Sequence, residues 1–103
     1  MSEPFWILQG TQRRKDGAQI VLRGVRDMGD RLAVTVSVGP DPTICEVGYE
    51  PDPLFTINVG EHTDVGDQGR LAVLDAVRVE GRPGGGRRSS ALLRLDRREE
   101  SPA

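Results

Sequence analysis

From Leu32 to Val38 the chain alternates. Leu32, Val34, Val36 and Val38 are branched aliphatics, and the residues between them, Ala33, Thr35 and Ser37, are small or polar. A period of two is that of a half-buried strand, and the β-branched content agrees with it. A helix would scatter the same four residues around its circumference. Shorter runs repeat the pattern less regularly. Phe5 to Gln9 follows Pro4. Gln19 to Arg26 sets Ile20 and Leu22 on one face and Val25 on the other, and Gly24 between them is where a bulge would change the facing. Ile44 to Tyr49 and Leu54 to Val59 are short, the second alternating through Phe55, Ile57 and Val59. Arg70 to Glu80 is ambiguous, because Val73, Leu74 and Val77 also fit one helical face; its β-branched residues and the Gly69 start favour a strand with a bulge. Ser90 to Leu95 alternates through Ala91, Leu93 and Leu95.

The connectors have the chemistry of tight turns. Lys15-Asp16-Gly17 follows the first strand, Asp27-Met28-Gly29-Asp30 joins two runs, and Gly66-Asp67-Gln68-Gly69 precedes another. Gly39-Pro40-Asp41-Pro42 and Glu50-Pro51-Asp52-Pro53 are locked by proline, which cannot sit in a central strand. These signals predict an all-β fold, a small β-sandwich or barrel of about seven short antiparallel strands. No internal repeat with a fixed period is visible. One domain over residues 1–96 is expected, followed by a frayed polar tail over 97–103. The stretch from Gly81 to Ser89 has no apolar residue to anchor it and reads as a projecting loop.

Composition narrows the function. In 103 residues, thirteen glycines and seven prolines lie mostly between the apolar runs, and 36% hydrophobic content leaves a core of Val, Leu, Ile and Ala with no large catalytic cavity. Cys45 is the only cysteine, so no disulfide forms within the chain, and with His62 the only histidine a closed zinc site of cysteine and histidine ligands is excluded. The apolar run near Met1 is too short for a secretion signal and no stretch is long enough to span a membrane as a helix, so a cytoplasmic protein with no membrane partner is expected. Thirteen of the fourteen basic residues are arginine. Codon bias of a GC-rich genome is the plain explanation, and bidentate recognition of anions the sharper one.

Charge is divided along the chain. No lysine or arginine lies between Arg31 and Arg70, while that interval holds seven acids: Asp41, Glu46, Glu50, Asp52, Glu61, Asp64 and Asp67. From Arg70 to Arg98 eight arginines face only Asp75, Glu80 and Asp96. The formal net charge of −2 hides this division. If folding segregates the blocks, Arg82, Arg87 and Arg88 on one side and Asp41, Glu46, Glu50 and Asp52 on the other make an interaction surface that pairs with an unknown protein or with a second copy. If strand pairing interleaves them, the fold carries no such dipole.

Each chemical candidate meets an ordinary alternative. Arg82, Arg87 and Arg88 among glycines suit an anion, but the lysine and hydroxyl of a phosphate loop are missing, and the expected setting is strand-loop-strand. Glu61, His62, Asp64 and Asp67 are hard-cation ligands by type. An extended backbone there turns Glu61 and Thr63 away from His62 and Asp64, leaving a polar turn as the better reading. Cys45 sits beside Glu46 in acidic surroundings that disfavour a thiolate, so a nucleophile paired with His62 has little support. Trp6 beside Phe5 reads as core packing rather than an exposed anchor.

Three patterns carry a resemblance: Gln12 and Arg13 ahead of the Gly17 turn; Asn58-Val59-Gly60-Glu61 followed by Val65-Gly66-Asp67 and the run Leu71 to Val79; and a closing Leu93-Arg94-Leu95. Over residues 9–96 the chain resembles a group of small all-β proteins of unassigned function from high-GC Gram-positive bacteria. It departs from them where they carry a tryptophan after the Gly-Asp turn, since Leu71 to Leu74 has none. The resemblance implies a compact β-domain and brings no site residues. The expected function is therefore a non-enzymatic binding or regulatory module working through protein contacts, without a cofactor or metal. The alternative is nucleic-acid or anion binding through the arginine-rich C-terminal third. The net charge and the missing base-stacking aromatics weigh against it.

Overall fold

The alternation at Leu32 to Val38 becomes an interior strand with its aliphatics inward. Val34, Val36 and Val38 are buried against the opposite sheet, and Thr35 faces outward. The computed structural model describes residues 3–15, 17–41, 52–79 and 88–96. These form eight strands: β1 (Phe5–Leu8), β2 (Gln12–Lys15), β3 (Ala18–Asp27), β4 (Leu32–Pro40), β5 (Leu54–Asn58), β6 (His62–Asp64), β7 (Arg70–Val77) and β8 (Ser90–Asp96), with a 3-10 turn at Gly66–Gln68. They make two antiparallel four-stranded sheets, sheet A in the order β1-β8-β7-β6 and sheet B in the order β2-β3-β4-β5. The inward residues of both, including Phe5, Ile7, Ile20, Leu22, Ile57, Leu71, Val73, Leu93 and Leu95, form one core. Each such aliphatic or aromatic side chain contributes about 1.5–3 kcal/mol when fully buried.

Two bulges keep the core continuous. In β3 the register shifts between Leu22 and Gly24, so Val25 returns to the interior rather than to the outer face. In β7 it shifts between Val73 and Asp75, so Leu74 and Asp75 both face out and Ala76 faces in. The ambiguous spacing of Arg70 to Val77 is thus a bulged strand and not a helix. The turn expected at Gly39-Pro40-Asp41-Pro42 starts later than its sequence suggests: Gly39 and Pro40 are the last two residues of the central strand β4, in register with Gln19 and Ala18.

Two strands have no apolar alternation. β2 reads Gln-Arg-Arg-Lys and β6 reads His-Thr-Asp. Both are edge strands, where solvated side chains are tolerated. The guanidinium carbon of Arg13 and the ammonium of Lys15 stand 5.6 Å and 5.5 Å from the Phe5 ring centroid, so β2 closes over the core with cations on an aromatic face. Phe5 and Trp6 do not pack as a pair. Strand alternation buries Phe5 and leaves Trp6 49% exposed on the outer face.

The sequence shows no repeat of fixed period, and the fold nevertheless holds one. Residues 5–41 and 55–96 carry the same four-strand unit, each sending its first strand to the other's sheet. Phe5 and Ile7 pair with Leu93 and Ala91; Phe55 and Ile57 pair with Val36 and Val34. The Gly10 N–H donates to the Leu22 carbonyl at 2.8 Å, and the Gly60 N–H to the Val73 carbonyl at 2.8 Å. Gln9 donates to Ser89 at 2.8 Å and Val59 to Leu32 at 2.9 Å. Both bulges follow those two acceptor residues, Leu22 and Val73. A two-fold pseudo-symmetry therefore relates sheet A to sheet B. Insertions change the spacing between matched residues from strand to strand, so no fixed period survives in the sequence.

Of the remaining expectations, the run Ile44 to Tyr49, residues 81–87 of the loop expected from Gly81 to Ser89, and the tail over 97–103 lie outside the described residues; Ser89, at the end of that expected loop, is buried rather than projecting.

Candidate functional site

The residues that charge patterning offers as an interaction surface fall at separate places. Asp41 follows β4, is buried to 7% exposure, and forms an ion pair with Arg14, Oδ1 to Nε at 3.5 Å; its N–H donates to the Gly17 carbonyl at 2.9 Å. Asp52 lies over Gly39, so closely that a Cβ on Gly39 would overlap its carboxylate. Arg88 is exposed, with its guanidinium near Gly10. Gly10 and Gly17 flank β2, so Arg88 and Asp41 stand near opposite ends of that strand. Glu46, Glu50, Arg82 and Arg87 lie outside the described residues, as do Cys45, Arg97 and Arg98.

Two of the described acids of the middle block meet arginines from the first third. Asp41 engages Arg14, and Glu61 Oε1 accepts Arg31 at 3.1 Å. Asp64 stands in register with Arg70, which is itself in register with Asp96. The exposed pair of Arg31 and Glu61 contributes little stability. For these residues strand pairing has mixed the two signs.

Around the proposed cation ligands, Glu61 spends its second oxygen on Asn58 Nδ2 at 3.2 Å. His62 and Asp64 point to solvent from β6, while Thr63 turns inward. Among the described residues no three His, Cys, Asp or Glu side chains converge on one point.

The outer face of sheet A carries a different feature. Trp6 and Leu8 on β1, Leu92 on β8, and Leu74 and Val77 on β7 lie on it together. Trp6 is in register with Leu92, Leu92 with Asp75 beside Leu74, and Leu8 with Ser90 and then Val77. Trp6 and Leu8 are each 49% exposed, Val77 is 47% and Leu74 is 39%. Asp75, in their midst, folds its carboxylate back to accept the Ala76 N–H at 2.8 Å.

The pseudo-symmetry supplies an internal control. On sheet B the positions matching Trp6, Leu8, Leu92, Leu74 and Val77 are Thr56, Asn58, Thr35, Arg23 and Arg26. Thr35 and Thr56 bond to each other through their hydroxyls at 3.2 Å. The same backbone with the same register and bulge therefore folds with polar residues at these five positions. Elsewhere on that outer face Leu54 is exposed, Val21 in the same row is half-buried and Ala33 is buried. Ser37 and Gly39, also on that outer face, are buried.

The sequence contained the signal for this face in Trp6. An unpaired exposed tryptophan is an anchor type at interfaces, but its direction depends on register. Among the described residues no helix is long and apolar enough to cross a membrane. No protein-family model, curated protein or solved structure matches the chain.

Proposed function

We propose that this protein is a non-enzymatic binding or regulatory module that acts through protein–protein contacts, self-association among them. The outer face of sheet A is where it does so. One observation carries the reading: five apolar side chains occupy a face whose pseudo-symmetric counterpart is threonine, asparagine and arginine. Contiguous exposed apolar residues rimmed by polar ones mark contact surfaces, and tryptophan is a favoured anchor within them. The rim here is Arg94, Asp96, Arg70, Asp64 and His62. We place the module in the bacterial cytoplasm, in keeping with the lone Cys45 and the arginine-rich composition.

The alternative, nucleic-acid or anion binding by the arginine-rich third, draws less support. Arg94 is engaged by Asp96 at 3.0 Å, and the described outer face next to it is apolar. A photo-reactive amino acid placed at position 92 tests the reading in cells, with position 35 as its matched control. Protein adducts at 92 and few at 35 are expected. No protein adduct at 92, or a salt-sensitive nucleic-acid adduct in its place, would overturn it.

A further inference from the structure

We infer that the seam between β1 and β2 binds an extended acidic segment of a partner protein, whose carboxylates answer Arg88, Arg13 and Lys15. None of the five apolar residues of sheet A takes part, so this is a second, charged contact that stands apart from the apolar face.

The seam lies where an edge of sheet A meets an edge of sheet B. Thr11 begins it, its N–H donating to the Leu8 carbonyl at 3.0 Å. Thr11, Arg13 and Lys15 alternate along the chain and share the inward side of β2. Arg13 and Lys15 reach over the Phe5 ring, and the Arg88 guanidinium stands by Gly10, the residue before Thr11. Asp41 is engaged by Arg14, which alternation turns to the other side of β2. Among the described residues no carboxylate pairs with Arg88, Arg13 or Lys15. Asp16, next to Lys15 in the sequence, lies outside the described residues.

The pseudo-symmetric seam, between β5 and β6, has the same backbone and a different answer to charge. Glu61 matches Thr11: its N–H donates to the Asn58 carbonyl at 3.0 Å, and its carbonyl accepts from Val73 as that of Thr11 accepts from Leu22. Arg31 matches Arg88, because the residues that follow them, Leu32 and Ser89, accept the equivalent bonds from Val59 and Gln9. In that half Glu61 accepts Arg31 at 3.1 Å. The first half keeps the arginine and loses the acid, since the Thr11 hydroxyl donates to the Leu8 carbonyl at 2.6 Å instead. Thr63 and Val65 occupy the places of Arg13 and Lys15, and Val65 belongs to the core against which Phe55 packs. The fold thus closes such a seam without cations, and meets the corner arginine with a carboxylate. β2 adds two cations and leaves the carboxylate to come from outside. Protection of an edge strand explains charge on β2. It does not explain an Arg88 without its acid on the neighbouring sheet.

Glu61 sets the ligand chemistry, a carboxylate. Alternate residues of a strand are about 6.6 Å apart, and an extended peptide with acids at alternate positions repeats that spacing. Nucleic acid fits less well, because Phe5 is buried beneath the cations and offers no ring on which a base could stack.

Fluorescence anisotropy of a labelled (Glu-Thr)4 peptide, titrated with the full chain at about 10 mM salt, tests this while screening is weak. Saturable binding below about 1 mM is expected, with none for (Gln-Thr)4. The double variant Arg13→Thr, Lys15→Val borrows the residues of the matched seam and should fold, with binding weakened at least about tenfold. Thr11→Glu should weaken it as much, by giving Arg88 the carboxylate that Arg31 already has. Arg31→Gln should leave it unchanged. Circular dichroism reports the folding of each variant. Amide shifts of the unsubstituted protein on adding the peptide should centre on Thr11, Arg13, Lys15 and Arg88, and they need no variant to fold. No saturable binding, equal binding of (Gln-Thr)4, shifts centred on β6, or full binding by folded Thr11→Glu would overturn the inference. Tighter binding of an eight-residue oligothymidylate would overturn the choice of a protein carboxylate as ligand. None of these results bears on the apolar face, whose residues the cross-linking at position 92 reads separately.

Discussion

Gly10 and Gly60 sit at the two corners where the chain leaves one sheet for the other, with φ of +80° and +89°. A side chain disfavours that region by about 1–2 kcal/mol per residue. A Cβ on Gly60 would meet open space, and one on Gly10 would meet only the end of Arg88, so conformation dominates any substitution. Gly10→Ala and Gly60→Ala should each cost about 1–2 kcal/mol by urea unfolding, with losses matched to within about 0.5 kcal/mol. Losses that differ by far more would mean that the corners are not equivalent. At this scale the sequence is legible where a residue's role is local. The turn at Asp27-Met28-Gly29-Asp30 is an example: the Gly29 N–H donates to Asp27 Oδ1 at 2.9 Å and the Met28 N–H to the Arg31 carbonyl at 2.9 Å. Trp6 is illegible for the opposite reason. Its neighbour Phe5 suggests a packed pair, and only the pairing of β1 with β8 decides which of the two turns inward.

Among the elements, strands with an apolar face were readable and strands without one were not. β3, β4, β5 and β8 announce themselves by alternation, β7 is ambiguous because its bulge breaks the period, and the bulge expected at Gly24 lies where the register shifts. β2 and β6 hold no apolar residue, so nothing in periodicity separates them from turns. Their backbone bonds to β3 and β7 make them strands. The connection from β7 to β8 closes before its sequence becomes glycine-rich. The Val79 N–H donates to Ser89 Oγ at 2.9 Å, and Ser89 is buried. With the ends already clasped, replacing Pro83 to Arg88 by two glycines should shift the melting temperature by no more than about 3 °C, because loop length enters closure entropy only logarithmically. A calorimetric shift above about 10 °C would mean that the segment packs against the sheets.

For the whole molecule, a small all-β fold of short antiparallel strands was legible, while the choice between sandwich and barrel and the two-fold construction were not. The shared Phe-x-Ile-x-x-Gly of residues 5–10 and 55–60 is the part of the repeat written in identical side chains. The rest is written in register, in backbone bonds and in the placement of two bulges. The charge division is vivid in the sequence, yet pairings such as Glu61 with Arg31 join acids and arginines that are distant along the chain. What distinguishes the two halves is their outer faces, and that contrast appears only once the halves are superposed. The most direct measurement is a dilution series of amide resonances on labelled protein at constant pH and salt. The account predicts concentration-dependent shifts at Trp6, Leu8, Leu74, Val77 and Leu92, and still resonances at Thr35, Thr56 and Asn58. Unmoving resonances across the series would contradict self-association through this face, and shifts centred on Thr35 and Thr56 would contradict the face itself.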